Sequence, residues 1–96
     1  MIEIRKTGVF AKWLDGLEDV RARARVLVRI ERLATGNPGD VAPVGEGVSE
    51  LKINYGPGYR VYYKQFGETL VILLAGGDKH TQGRDVKTAL RLARNL

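Results

Sequence analysis

The chain contains no cysteine. Disulfides, thiolate nucleophiles and cysteine-based zinc sites are therefore excluded, and nothing points to an oxidising compartment. It has one histidine, His80, and one serine, Ser49. A Ser-His-Asp triad has no good candidate in such a sequence. Carboxylates are few and a second histidine is missing, so no ligand set for a metal cage stands out. There is no Gly-rich lysine loop of the Walker type. No apolar run is long enough to span a bilayer. The opening "MIEIRKTG" lacks the apolar core and the small-residue cleavage site of a signal peptide. The expectation is a cytoplasmic protein with no membrane partner and no cofactor.

The 96 residues that remain to be explained are 44% hydrophobic and 28% charged, ordinary values for one globular domain over 1–96. Lys and Arg outnumber Asp and Glu, for a net charge of +5. A basic excess on a small domain favours an anionic partner, nucleic acid foremost.

Periodicity predicts the elements. "MIEIR" alternates apolar and polar residues, a short strand. Thr7 is placed to cap a helix over "GVFAKWLDGL", with Val9 or Phe10, Trp13, Leu14 and Leu17 at helical spacing. A second helix is expected from about Asp19 to Thr35. Its apolar stripe reads Val20, Ala24, Leu27, Ile30 and Ala34, and "TGNPG" stops it. Helices joined this closely are expected to form an antiparallel pair. "NPGDVAPVGEG" reads as a loop. Three strands follow: "VSELKIN", "YRVYYKQF" and "LVILLA", the last continuously apolar and so buried on both faces. "GGDKHTQGRD" reads as a loop, and "DVKTALRLARNL" as a final helix. The predicted fold is α+β: an N-terminal strand, a helical pair, an antiparallel meander and a C-terminal helix.

The cations hold positions. Arg21, Arg25, Arg29 and Arg32 lie along one face of the second helix, beside the apolar stripe. Such a row suits phosphate contacts. It equally suits a solvated face paired with Glu18, Asp19 and Glu31. Lys52 and Arg60 occupy the polar sides of adjacent strands joined by the "NYGPG" turn, where like charges are normally unfavourable. An anion between them would account for the pair. Glu50 as a neutralising partner is the alternative. After the buried strand come Asp78, Lys79, His80 and Gln82, on a loop held by a rigid element. A set of this kind fits metal-free RNA cleavage, in which the ribose 2′-hydroxyl attacks its own phosphate. That reaction needs a base, an acid and cations. Lysine and histidine can transfer protons, arginine can clamp phosphate, and tyrosines such as Tyr55 offer stacking faces for bases.

Together, "ELKINYGPGYRVYY" and "LVILLAGGDKHTQGRDVKTAL" resemble the RelE/ParE toxin superfamily, most closely its HigB-like branch of phage-derived addiction-module killer proteins. The similarity in element order covers essentially the whole chain. It implies a RelE-like fold and a bacterial type II toxin, silenced by a cognate antitoxin. Relatives of this kind act at the ribosome and cut mRNA there as mRNA interferases, without a metal. Carried over residue by residue, the family's strand arginine falls on Arg60, its preceding basic residue on Lys52, and its later cation on Lys79 with His80 adjacent. The preferred assignment makes His80 the acid and Lys52 the base. Arg21, Arg25, Arg29, Arg32, Tyr55 and Gln82 are the candidate RNA contacts. The sequence departs from several relatives in having "QGRDVK" where they carry a tyrosine or histidine near the last helix. Two other functions fit the superfamily: a ParE-like gyrase inhibitor that acts by binding, and a degenerate toxin that only binds its antitoxin.

Overall fold

The computed structural model describes residues 1–96. Strand β1 (Glu3–Lys6) leads into helices α1 (Gly8–Asp15) and α2 (Val20–Ala34). Strands β2 (Val41–Gly45), β3 (Val48–Ile53), β4 (Tyr59–Phe66) and β5 (Leu70–Gly77) follow, then a short 3-10 turn (Lys79–Thr81) and helix α3 (Gln82–Arg94). The five strands form one sheet in the order β1-β5-β4-β3-β2. β2 to β5 make an antiparallel meander, and β1 runs parallel to β5. The α+β architecture is the one expected. No helix is long and apolar enough to cross a membrane.

Thr7 caps α1 as anticipated. Its Oγ accepts the Phe10 N–H at 3.1 Å and donates to the Leu74 carbonyl at 2.7 Å. One side chain thus satisfies a free helix donor and fixes the helix to β5. Asp19 caps α2 by accepting from the Arg21 and Ala22 N–H groups.

Helices cover both faces of the sheet. On one face Phe10, Leu14, Val26 and Leu33 meet Leu51, Ile53, Val61, Tyr63, Val71 and Leu73. On the other, Ala89 and Ala93 of α3 meet Val48, Tyr62, Leu74 and Ala75. Alanines on α3 let its backbone lie close to the strands. A bulge helps: Tyr62 pairs with Ala75 and Tyr63 with Leu73, so Leu74 has no partner opposite. Both Leu74 and Ala75 are buried as a result, and β5 is enclosed on both sides, as its apolar run predicts.

Four expectations need correction. "NPGDVAPVGEG" is not all loop: β2 lies inside it as an edge strand, with Pro43 opposite Ser49. An edge strand tolerates a residue without an N–H. The two N-terminal helices are not chiefly partners of each other; α1 lies on β5 and α2 lies over β3. The core face of α2 is Ala22, Val26 and Leu33, whereas Val20, Ala24 and Leu27 are exposed. Finally, the side of β3 and β4 that looks polar in sequence is a second core face, with Glu50 and Tyr62 buried beneath α3.

Candidate functional site

An open cavity of about 240 Å³ lies at the end of the sheet where β3 finishes and β4 begins. Lys52, Arg60 and Lys79 line it, with Asp40, Ile53, Asn54 and Gly58. Lys52 and Arg60 are direct register partners. Lys79 arrives from the segment after β5. Its aliphatic stem runs along Gly58, whose φ of 81° closes the β3–β4 turn. A glycine there admits the left-handed backbone that the turn requires.

Arg60 is held from beneath. Its Nε lies 3.2 Å from Glu50 Oε1, and the two side chains are 12% and 5% exposed. The Nε–H is not aligned with that oxygen and has no hydrogen-bond partner. Glu50 Oε1 also accepts from Gln82 Nε2 at 2.6 Å and from the Tyr62 hydroxyl at 3.4 Å. Burial and then the Glu50 charge push the Tyr62 phenol well above its ordinary pKa. Tyr62 therefore stays a neutral donor to the carboxylate. Glu50 offsets one of the two cations facing each other across β3 and β4. Lys52 and Lys79 have only the Asp40 carboxylate in the cavity wall with them. Two ammonium groups and a pinned guanidinium around one opening have the charge and donors that a phosphate would need.

His80 is not part of the wall. The Asp78 carboxylate accepts its N–H at 2.8 Å, and Nδ1 lies 3.5 Å from the same oxygen. The imidazole is 81% exposed, at the outer side of the segment that delivers Lys79. Gln82 is turned inward onto Glu50, so its amide is occupied within the protein.

The arginine row divides. Arg29 donates to the carbonyls of Lys52, Pro38 and Asp40, tying α2 to β3 and to the start of β2. Burial, then the nearby Arg32, lower its pKa. Arg25 lies over the Tyr55 ring, 4.6 Å from the centroid, and the Tyr55 hydroxyl donates to Asp19 Oδ2 at 3.1 Å. One face of that ring is therefore covered. Arg21 and Arg32 remain exposed. Sequence reasoning missed Asp40 in the cavity wall. Asp40 directly precedes the unrecognised β2, whose "VAPVG" carries no polar–apolar alternation to mark it as a strand.

Two surface carboxylates make acid stability testable. Burial raises the Asp19 pKa, but bonds from Ala22, Tyr55 and Arg21 outweigh it and the net shift is downward. Glu46, at the β2–β3 turn, is lowered chiefly by its hydrogen bonds from Arg94, whose Nε donates at 2.8 Å. A lowered folded pKa adds stability above the ordinary carboxylate range, and that stability is lost as pH falls through the folded value. The thermal midpoint is expected to drop below roughly pH 4. An Asp19→Asn, Glu46→Gln double variant should show a shallower drop in the same scan; an identical slope would assign the acid transition elsewhere.

Comparison with known proteins gives the chain's family. A protein of Haemophilus influenzae, described only as an uncharacterized protein, is 50% identical over 95 residues, covering 99% of this chain and 96% of that one. Residues 12–96 match the family described as "Phage derived protein Gp49-like (DUF891)". That span takes in the cavity, the Glu50 network and all three helices but for the first turn of α1. The chain belongs to this phage-derived, Gp49-like family, which is of the toxin–antitoxin-related, addiction-module kind.

Proposed function

We propose that the protein is the toxin of a type II toxin–antitoxin system and a ribosome-dependent mRNA endonuclease. The observation that carries this reading is the cavity in which Lys52, Arg60 and Lys79 converge, with Arg60 fixed by Glu50. The 2′-oxygen of a bound ribose attacks the adjacent phosphorus, the bond to the 5′-oxygen breaks, and a 2′,3′-cyclic phosphate and a 5′-hydroxyl result. The proton leaving the 2′-hydroxyl goes to a base, and an acid returns one to the 5′-oxygen, so the step needs no outside reactant. Arg60 clamps the non-bridging oxygens. Lys79 offsets the charge gained at phosphorus, the kind of preorganised stabilisation that dominates many such reactions. Lys52, in the wall, is assigned as base. His80, exposed beside the opening, is assigned as acid, meeting the leaving oxygen from the solvent side. Expression is balanced by an antitoxin, and the ribosome presents the mRNA.

The test is end-mapping of an mRNA incubated with the protein, with and without programmed ribosomes. Cuts are expected only with ribosomes. Arg60→Ala should reduce their rate by about 10²–10³-fold, as for loss of one oxyanion-binding donor. His80→Ala should lower the rate more than it weakens ribosome binding. Equal losses, or none, would remove His80 from the reaction. Absence of cuts under every condition would redirect the assignment to a gyrase inhibitor, read next by a supercoiling assay.

A further inference from the structure

The exposed side of α2 carries apolar residues among its arginines. Val20 is 74% exposed, Val28 54% and Leu27 47%, and Ala24 between them is exposed as well. Beside them a groove of about 520 Å³ runs between α2 and the end of β3. Its apolar lining is Ala24, Val28 and Ile53. Arg21, Arg25 and Arg29 supply its charge, and no carboxylate lines it. Arg29 is already committed to three backbone carbonyls. Arg25 is steadied over Tyr55. Arg21 and Arg25 thus stand as cations on the border of an apolar trough.

We propose that this groove is the docking surface for an acidic, apolar-faced segment of a partner protein, a proposal that rests on the toxin–antitoxin reading and places the antitoxin's contact. Charge complementarity chooses the occupant: carboxylates answer Arg21 and Arg25, and apolar side chains cover Val28 and Ile53. A nucleic-acid backbone satisfies the arginines but leaves the valines and Leu27 wet. From Val20 to Val28 the helix rises about 12 Å, a length matched by two turns of a helix laid alongside. The groove also adjoins the cation cavity, since Ile53 and Asn54 line both. A segment seated on α2 that continues past Asn54 reaches Lys52 and Arg60, so one contact both anchors the partner and covers the site.

The test selects random peptides of about 12 residues, some three helical turns, against the whole protein. Each winner is then measured by fluorescence anisotropy against Val28→Glu and Arg25→Glu variants, with Val20→Glu as a second apolar probe should Val28→Glu fold poorly. Thermal midpoints confirm that the variants fold. The expected winners carry glutamate or aspartate with spaced leucine, isoleucine or phenylalanine, and lose about tenfold or more in affinity on each variant. Amide exchange should show protection at residues 20–28 and 53–55. The proposal is overturned if no selected peptide depends on Val28 or Val20, or if the groove-dependent ones lack carboxylates. It is also overturned if an RNA duplex binds in a way that Arg21→Glu and Arg25→Glu abolish while Val28→Glu leaves it unchanged, which would make the face a phosphate surface. These readouts use no ribosome, so failure of the cleavage assay and failure of the docking surface are separate results.

Discussion

Glu50→Ala is expected to be the most destabilising single change near the cavity, costing about 3–5 kcal/mol. Glu50 is 3% exposed and serves three neighbours at once: Arg60, Gln82 and Tyr62. Alanine would leave a guanidinium under cover with no countercharge and two donors with no acceptor. Breaking one side of a buried pair costs more than the pair contributes, because the surviving charge stays desolvated. A domain of this class has a total stability of about 5–15 kcal/mol, so the loss is a large share of the whole and the variant should unfold at a much lower denaturant concentration. The urea midpoint measures it. Glu50→Gln, which keeps an acceptor oxygen, should fall between wild type and Glu50→Ala. Adding Arg60→Met to Glu50→Ala should restore much of the loss. A midpoint for Glu50→Ala close to wild type would show that Arg60 is solvated and free to swing, and the clamp assigned to it would lose its support.

Gly77→Ala is the second large effect, expected at about 1–3 kcal/mol or more from overpacking. A Cβ at Gly77 would sit 1.8 Å from Asp85 Oδ2 and 2.8 Å from Thr81 Oγ, and one at Gly76 would sit 2.1 Å from the Trp13 ring. Neither glycine has a positive φ. Their role is close approach, with α1 on one side of β5 and the start of α3 on the other. Asp85 cannot swing away freely, being buried and bonded to the Thr81 hydroxyl. Asp85→Ala added to Gly77→Ala should recover part of the loss. Gly83→Ala is the control: nothing lies within 4 Å of its Cβ and it sits inside α3, so a small gain of roughly 0.5–1 kcal/mol is expected. Thermal melts of the three variants decide it, and a Gly77→Ala midpoint equal to that of Gly83→Ala would rule out the steric account.

The elements of this fold were largely readable because β1, β3 and β4 alternate, β5 is a continuous apolar run and the caps are local. Thr7 and Asp19 signal their helices with side chains that act within three residues. What failed was long-range in origin. α2 is apolar on more than one side, so Val20, Ala24 and Leu27 compete with Ala22, Val26 and Leu33 as the inward stripe; only the tilt of the helix on β3 chooses between them. The edge strand β2 is written in residues that also make loops, Pro43 and Gly45 among them. The same applies to the site. Lys52 opposite Arg60 followed from the turn between their strands, and Lys79 from the strand that precedes it. The burial of Glu50 and the inward turn of Gln82 did not follow, because both depend on α3 closing over the sheet.

The parallel pairing of β1 with β5 joins Glu3 to Leu70 and Lys6 to Leu73, so the first strand has no neighbour until the last strand of the sheet has been made. The cavity shares part of this dependence: Lys52, Arg60 and Glu50 meet across the β3–β4 pair, but Lys79 follows the last strand. Contacts this distant in sequence form late. The third cation therefore joins the hairpin that carries Lys52 and Arg60 only after β5 is in place. For a protein proposed to cut messages on the ribosome, the full set of three cations therefore exists only once β5 and the segment after it have been made.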